Sequence, residues 1–186
     1  IGGDVIPALT RAGVAHMYDF SRNAIPGQAE HERDYWRDVG SLDAYYEANM
    51  DLLKPVPPLD LYQDDWAIRT YHGQNPPARM VPGGNGKDGQ MVNSIMGAGT
   101  VIIGGIVRHS VLASRVHIHE GAMVEDAILF DHVTVGQGAR LRRCIVDKHV
   151  AIPPGEAIGF DPDRDRQRFT LSDKGIVVVP EDYRFS

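Results

Sequence analysis

The chain has 186 residues, 42% of them hydrophobic, and a formal net charge of −6. That is enough apolar material for a folded core, but the charge has the wrong sign for a nucleic-acid grip driven by bulk electrostatics. No apolar run approaches membrane-spanning length. The single cysteine, Cys144, excludes an internal disulfide and fits packing in a reducing cytoplasm, a reactive thiol being the alternative.

The opening Ile1-Gly2-Gly3-Asp4 lacks a methionine and reads like the interior of a domain. Asp4 is placed to cap a short helix reaching about Ala12, with Gly13 as its stop, and Val14 to Phe20 reads as a strand. One helix and one strand cannot bury a core. The expectation is therefore a carboxy-terminal piece of a larger protein, or a first half held by contacts with the second.

Next comes Tyr35-Trp36-Arg37-Asp38-Val39-Gly40, directly before a helix with Ser41 as N-cap that runs to about Leu53. Leu42, Tyr46, Met50 and Leu53 form its apolar stripe, and Pro55, Pro57 and Pro58 end it. A carboxylate beside a large aromatic at such a junction suits a divalent cation and a flat or sugar-like ligand. Oxygen donors suit Mg²⁺, which takes one or two protein carboxylates. The plainer alternatives are that Asp38 caps the helix region or pairs with Arg37, and that Trp36 is core.

Residues 60–90 are rich in turn signals and read as a connector anchored by Trp66, Ile68 and Tyr71 and mobile near Gly83 to Gly89. The run Gly83-Gly84-Asn85-Gly86-Lys87 lacks a preceding strand and a following helix, so it reads as connector rather than phosphate loop.

From about Val92 the chain repeats. Gly104, Gly121, Gly138 and Gly155 stand seventeen residues apart, the mark of a stacked coil. Three aliphatic ladders share the spacing: Ile95, Leu112, Leu129, Val146; Val101, Ile118, Val135, Ile152; and Val107, Val124, Leu141, Ile158. Small or β-branched residues such as Ala127, Val133 and Ala139 precede the aliphatics by two, on the same face of a short strand. Cys144 shares such a position with Ser110 and Ala127. A fourth ladder, Val111, Ile128 and Ile145, points outward, and such an exposed aliphatic stripe is expected to pack against the catalytic portion or another subunit. His109, His117, His119, His132 and His149 read as rim residues; a histidine base of the hexapeptide-acyltransferase kind would want an excursion loop to shape an acyl-donor site, and none accompanies them. Arg140, Arg142, Arg143, Lys148, Arg164, Arg166 and Arg168 read mainly as a solvated rim.

These motifs carry a resemblance. Gly3-Asp4-Val5-Ile6-Pro7, the run from Tyr35 to Leu53, Trp66-Ala67-Ile68-Arg69-Thr70, Pro76-Pro77-Ala78, Ser110-Val111-Leu112, Arg140-Leu141-Arg142-Arg143-Cys144 and Gly175-Ile176-Val177 together resemble the glucose-1-phosphate adenylyltransferase (ADP-glucose pyrophosphorylase) family, along the whole chain. The resemblance implies a mainly β fold: a left-handed parallel β-helix of hexapeptide type over residues 92–186, a connector over 55–91, and over 1–54 the end of an α/β Rossmann-like catalytic domain.

It also implies a cytoplasmic nucleotidyltransferase of glycogen biosynthesis that joins ATP to glucose 1-phosphate, giving ADP-glucose and pyrophosphate. Asp38 matches one of the family's two carboxylates for catalytic Mg²⁺, and Trp36 falls near the sugar-nucleotide end of the cleft. Lys148 lies where a phosphorylated sugar or nucleotide effector would meet the β-helix, and the family forms homotetramers. The family's ATP-binding phosphate loop and second metal carboxylate find no match here, so the chain by itself is expected to be inactive. The rival readings are a non-catalytic regulatory scaffold of the same architecture and a hexapeptide-repeat acyltransferase.

Overall fold

The computed structural model describes every residue except Ala24, Trp66, Thr70, His72, Asn85 and Ser186. It divides into two compact units, Ile1–Trp36 with Leu59–Arg69 and Arg37–Pro58 with Thr70–Ser186. No helix among the described residues is long and apolar enough to cross a membrane.

The first unit holds helix α1 (Val5–Arg11) and two single-turn 3₁₀ segments, Phe20–Arg22 and Glu30–Glu32. Asp4 precedes α1, but its side chain makes no capping hydrogen bond. The strand expected over Val14 to Phe20 does not form, because no neighbouring strand in this unit offers it a ladder. Among the described residues of this unit no apolar side chain is buried. Glu32 is the one buried residue among those described in this unit: its carboxylate accepts the N–H of Ala29 at 2.9 Å and of Asp60 at 2.5 Å, joining the two stretches of chain. Of the expected anchors, Trp66 lies outside the described residues, while Ile68 and Tyr71 are exposed and anchor nothing.

The second unit is a three-sided parallel coil with helix α2 (Leu42–Asp51) laid on it. Its strands are β1 (Arg79–Val81), β2 (Gln90–Val92), β3 (Ile95–Met96), β4 (Val101–Ile103), β5 (Ile106–Arg108), β6 (Val111–Leu112) and β7 (His117–Ile118). They continue as β8 (Met123–Leu129), β9 (Thr134–Val135), β10 (Arg140–Val146), β11 (Ala151–Ile152) and β12 (Ala157–Ile158). After helix α3 (Pro162–Arg168) come β13 (Thr170–Leu171) and β14 (Val177–Val179). One side stacks β1, β4, β7, β9 and β11. The seven-residue strands β8 and β10 each bend round a corner and serve both other sides. All these pairings are parallel except β13 with β14, and the coil is a left-handed β-helix of hexapeptide type.

The coil begins earlier than Val92, since β1, in the expected connector, pairs with β4 in register Met80↔Ile102. The glycine-rich run lies between β1 and β2, with Gly83 N–H donating to Lys87 O at 2.8 Å, so its flanks are coil strands.

The core is the inward stack. Leu112, Leu129 and Val146 stand on one side, Ile118, Val135 and Ile152 on another, and Val107, Val124, Leu141 and Ile158 on the third, all buried. Ala127, Val133 and Ala139 are also buried, as their spacing implies. Two ladder members are corrected. Ile102, not Val101, pairs with Ile118, and Met96, not Ile95, pairs with Leu112. The cause is the Gly104-Gly105 corner: Ile102 to Val107 takes five residues where Ile118 to Val124 takes six. Only residues without Cβ fit there, since a Cβ on Gly104 would sit 2.8 Å from Gly83 backbone and one on Gly105 2.7 Å from Ile118 Cγ2.

The carboxy-terminal end is closed by Phe169, Tyr183 and Phe185, with the Arg168 guanidinium against all three rings. Arg168 also donates to both oxygens of Glu156, at 3.0 and 3.2 Å. Burial opposes charge on Glu156, but the bonds from Arg168, the Ala157 N–H and nearby Arg164 together hold its carboxyl below the usual range. Asp165 goes the other way: burial pushes its carboxyl up despite the Gly159 N–H, and its Oδ1 is buried with no hydrogen-bond partner among the described residues.

The packing sets two expectations for stability. Leu129→Ala empties a fully enclosed rung and is expected to cost about 2–5 kcal/mol in urea unfolding, whereas the same truncation at exposed Val92 should change stability by less than about 0.5 kcal/mol. Glu156→Gln loses the ionic bonds to Arg168, worth about 2 kcal/mol at neutral pH. Because the folded carboxyl titrates below its unfolded value, this stabilisation is complete above about pH 4–5 and fades as pH falls through the folded value. Variant and wild type should therefore converge in stability in acid, as measured by denaturant midpoints across pH.

Candidate functional site

The segment before α2 is shaped by the helix it enters. Ser41 Oγ accepts the Ala44 N–H at 3.2 Å and caps α2, as its position in the sequence implies. Three residues earlier Asp38 is exposed, and its Oδ1 accepts the Gly40 N–H at 2.9 Å in an Asx-type turn. Asp38 thus neither caps the helix itself nor pairs with Arg37. Its Oδ2 carries no protein hydrogen bond among the described residues, which leaves it open to a ligand or solvent.

Arg37 points into α2. Its Nη2 donates to Glu47 Oε2 at 2.7 Å and its Nη1 to Asp51 Oδ2. Asp43, Glu47 and Asp51 lie at i, i+4 and i+8 on one helix face. Each carboxylate has a cation or donor: Lys54 Nζ stands 2.7 Å from Asp51, Lys174 Nζ pairs with Glu47, and Ser172 Oγ donates to Asp43. The apolar face of α2 covers the outward ladder. Tyr46, Met50 and Leu53 pack with Ile128, Ile145 and Ile176, joined at the margin by Val111, Ile95 and Val178. The Tyr46 hydroxyl donates to Asp126 O at 2.7 Å, and burial together with Asp126 pushes its ionisation well above the usual range. The partner that the ladder calls for is this chain's own helix.

Trp36 belongs to the first unit and is 74% exposed, so it is not core.

Lys148 lies at a different corner of the coil. It is exposed, and it borders an open groove of about 430 Å³ lined also by Tyr71, Asn75, Arg115, Asp131, His132 and His149. Arg115, His132 and His149 all hold left-handed backbone, with φ of 59°, 61° and 59°, which projects them from the corner one above another. The two histidine rings stack at 4.9 Å between centroids. Arg115 Nε donates to Asn75 Oδ1 at 2.6 Å, and Asp131 accepts the Ser114 N–H at 3.0 Å. Two permanent cations against one occupied carboxylate make this mouth suited to an anion. The seventeen-residue spacing of His132 and His149 was the available signal for this column; the bracket at Arg37 was signalled only by the acidic i, i+4, i+8 stripe.

Cys144 is buried with its thiol pushed up by burial, which leaves it unreactive. Among the described residues no three His, Cys, Asp or Glu side chains converge as a metal site.

Residues 76–179 match the family described as "GlmU-like, C-terminal hexapeptide". Along its whole length the chain is 52% identical to glucose-1-phosphate adenylyltransferase 2 of Vibrio cholerae, of which it covers 45%. It is 53% identical over 186 residues to the glucose-1-phosphate adenylyltransferase of Thermus thermophilus and 49% identical to that of Deinococcus deserti, covering 99% of this chain and 45% of each relative. The chain thus spans about half the length of these curated relatives or less.

Proposed function

The chain belongs to the GlmU-like, C-terminal hexapeptide family, and on that footing we propose that it is part of a glucose-1-phosphate adenylyltransferase, which transfers adenylyl from ATP to glucose 1-phosphate and yields ADP-glucose and pyrophosphate for glycogen synthesis. The observation that carries the reading is the extent of the likeness. A hexapeptide coil alone fits many enzymes, but the 52% identity runs over all 186 residues, and so includes residues 1–75 outside the coil match.

Asp38 is the residue proposed to hold Mg²⁺. An exposed carboxylate with one oxygen turned to Gly40 and the other open suits an ion that takes one or two carboxylates and completes its shell with water and phosphate oxygens. When bound, the ion would neutralise phosphate charge during transfer. Asp38 would hold that ion in place; Trp36, exposed in its own unit, is the residue proposed to offer an apolar face to a sugar nucleotide. Lys148, with Arg115 beside it in the groove, supplies cationic contacts for a phosphorylated sugar or nucleotide effector. A homotetramer in the cytoplasm completes the proposal.

Pyrophosphate release from ATP and glucose 1-phosphate with Mg²⁺ tests it, with the full-length protein assayed beside the 186-residue chain. Asp38→Asn in the full-length protein should lower kcat by about 10²–10³-fold, the scale of several kcal/mol of metal-borne charge stabilisation. A full-length protein inert with every nucleoside triphosphate would instead favour the scaffold reading. Lys148→Ala should leave basal turnover in place and raise the effector concentration for half-activation by about tenfold, the weight of one charge-assisted contact; an unchanged activation curve removes Lys148 from the effector site.

A further inference from the structure

The side chain next to Asp38 in sequence is tied to the coil. Arg37 spans one turn of α2, with one guanidinium nitrogen on Glu47 and the other on Asp51. Its side chain is 30% exposed and that of Asp51 11%, so the pair is largely shielded from solvent. Glu47 is shared: its Oε2 receives Arg37 and its Oε1 receives Lys174 from the loop between β13 and β14. Asp43, one turn earlier, accepts the Lys174 N–H at 3.3 Å and the Ser172 hydroxyl. Ser172 Oγ in turn accepts the Ile176 N–H at 2.9 Å, and Ile176 is buried under α2.

Asp38 therefore sits between two fixed points. On one side is the Arg37 bracket; on the other, three residues on, is the Ser41 cap, and the Asp38–Gly40 turn fills the interval. A short link held at both ends has few conformations left. We propose that Arg37 is a positioning residue for the Asp38 carboxylate, and that Glu47 and Lys174 extend this hold into the end of the β-helix, so that the placement of Asp38 is set by how α2 lies on the coil. The inference rests on the reading of Asp38 as a metal carboxylate. Lysine cannot replace arginine here, because one ammonium cannot bridge two carboxylates a helical turn apart in the way a planar fork does. Removing Arg37 also leaves Glu47 and Asp51 as like charges on adjacent turns.

The test uses the full-length protein with Mn²⁺ as probe, its binding followed by electron paramagnetic resonance, together with amide hydrogen exchange over residues 38–42. Arg37→Ala should weaken Mn²⁺ binding by about tenfold or more, the usual loss when the support of a metal ligand is removed, and should speed exchange at Gly40, whose N–H Asp38 accepts. Arg37→Lys should recover only part of both, and Lys174→Ala should show the same changes in smaller degree while the coil keeps its melting temperature. Unchanged exchange and unchanged Mn²⁺ affinity in Arg37→Ala would overturn the proposal. Asp38→Asn is the control that separates the two claims. If it abolishes Mn²⁺ binding while Arg37→Ala does nothing, the positioning role fails and the metal reading stands. If it leaves binding intact, the metal reading falls, and with it the proposed role of Arg37.

Discussion

Everything in the second unit depends on one constraint, the vertical register of the coil. At each corner a residue takes left-handed backbone: Asn93, His109, Asp126 and Arg143 at one, Arg115, His132 and His149 at another, and Gly104, Gly121, Gly138 and Gly155 at the third. For residues with a Cβ this conformation costs about 1 kcal/mol or more each. The cost is tolerable because the corners are stitched to the rung below, as in His132 N–H to Ser114 O at 3.1 Å and Gly138 N–H to Glu120 O at 3.0 Å. At one corner the side chains add a tie, His109 Nδ1 lying 2.6 Å from Asp126 Oδ1. Like residues then stack on like, the aliphatics close over one another, and the same register lines up whatever the corners project.

That alignment produces two surfaces of different character. Where corner residues are Arg115, His132 and His149, stacking concentrates cationic and ring groups along one groove beside Lys148. Where the outward residues are Val111, Ile128 and Ile145, stacking makes an apolar strip, and α2 covers it. Burying the three apolar side chains Tyr46, Met50 and Leu53 against it is worth several kcal/mol, at about 1.5–3 kcal/mol for each side chain fully removed from water. Helix α2 in isolation is only ten residues long, too short to persist in water. It is the coil that makes it a helix, and it is the helix that gives Arg37 its two carboxylates at the right separation.

The coil was legible in the sequence because a seventeen-residue period leaves few alternatives, and Ala127, Val133, Ala139 and Cys144 are buried where the spacing puts them. The first rung was misread by one residue for a specific reason. Ile95-Met96 and Val101-Ile102 each offer two apolar residues, so hydrophobicity cannot choose between them, and the five-residue step across Gly104-Gly105 decides the matter in three dimensions. The outward ladder was legible as something to be covered by the catalytic portion or another subunit, and its cover, α2, lies within the stretch read as the end of the catalytic domain. Val14 to Phe20 shows the opposite failure: β-favouring composition makes no strand without an edge to pair with.

At the site, Asp38 and Lys148 could be singled out from their neighbours, but the bracket could not. Whether Arg37 is a solvated neighbour of Asp38 or a tie to α2 depends on the rotation of the helix about its axis. That rotation is fixed by Met50 and Leu53 meeting Ile128 and Ile145, roughly eighty residues or more away in the chain. Once those contacts are set, the acidic stripe Asp43, Glu47, Asp51 must face sideways along the coil, and bare it would repel itself. Arg37, Lys54 and Lys174 answer it from three separate parts of the chain. The one of the three that adjoins Asp38 is also the one with both its charged bonds to the stripe, so packing of the coil and placement of that carboxylate are decided by the same contacts.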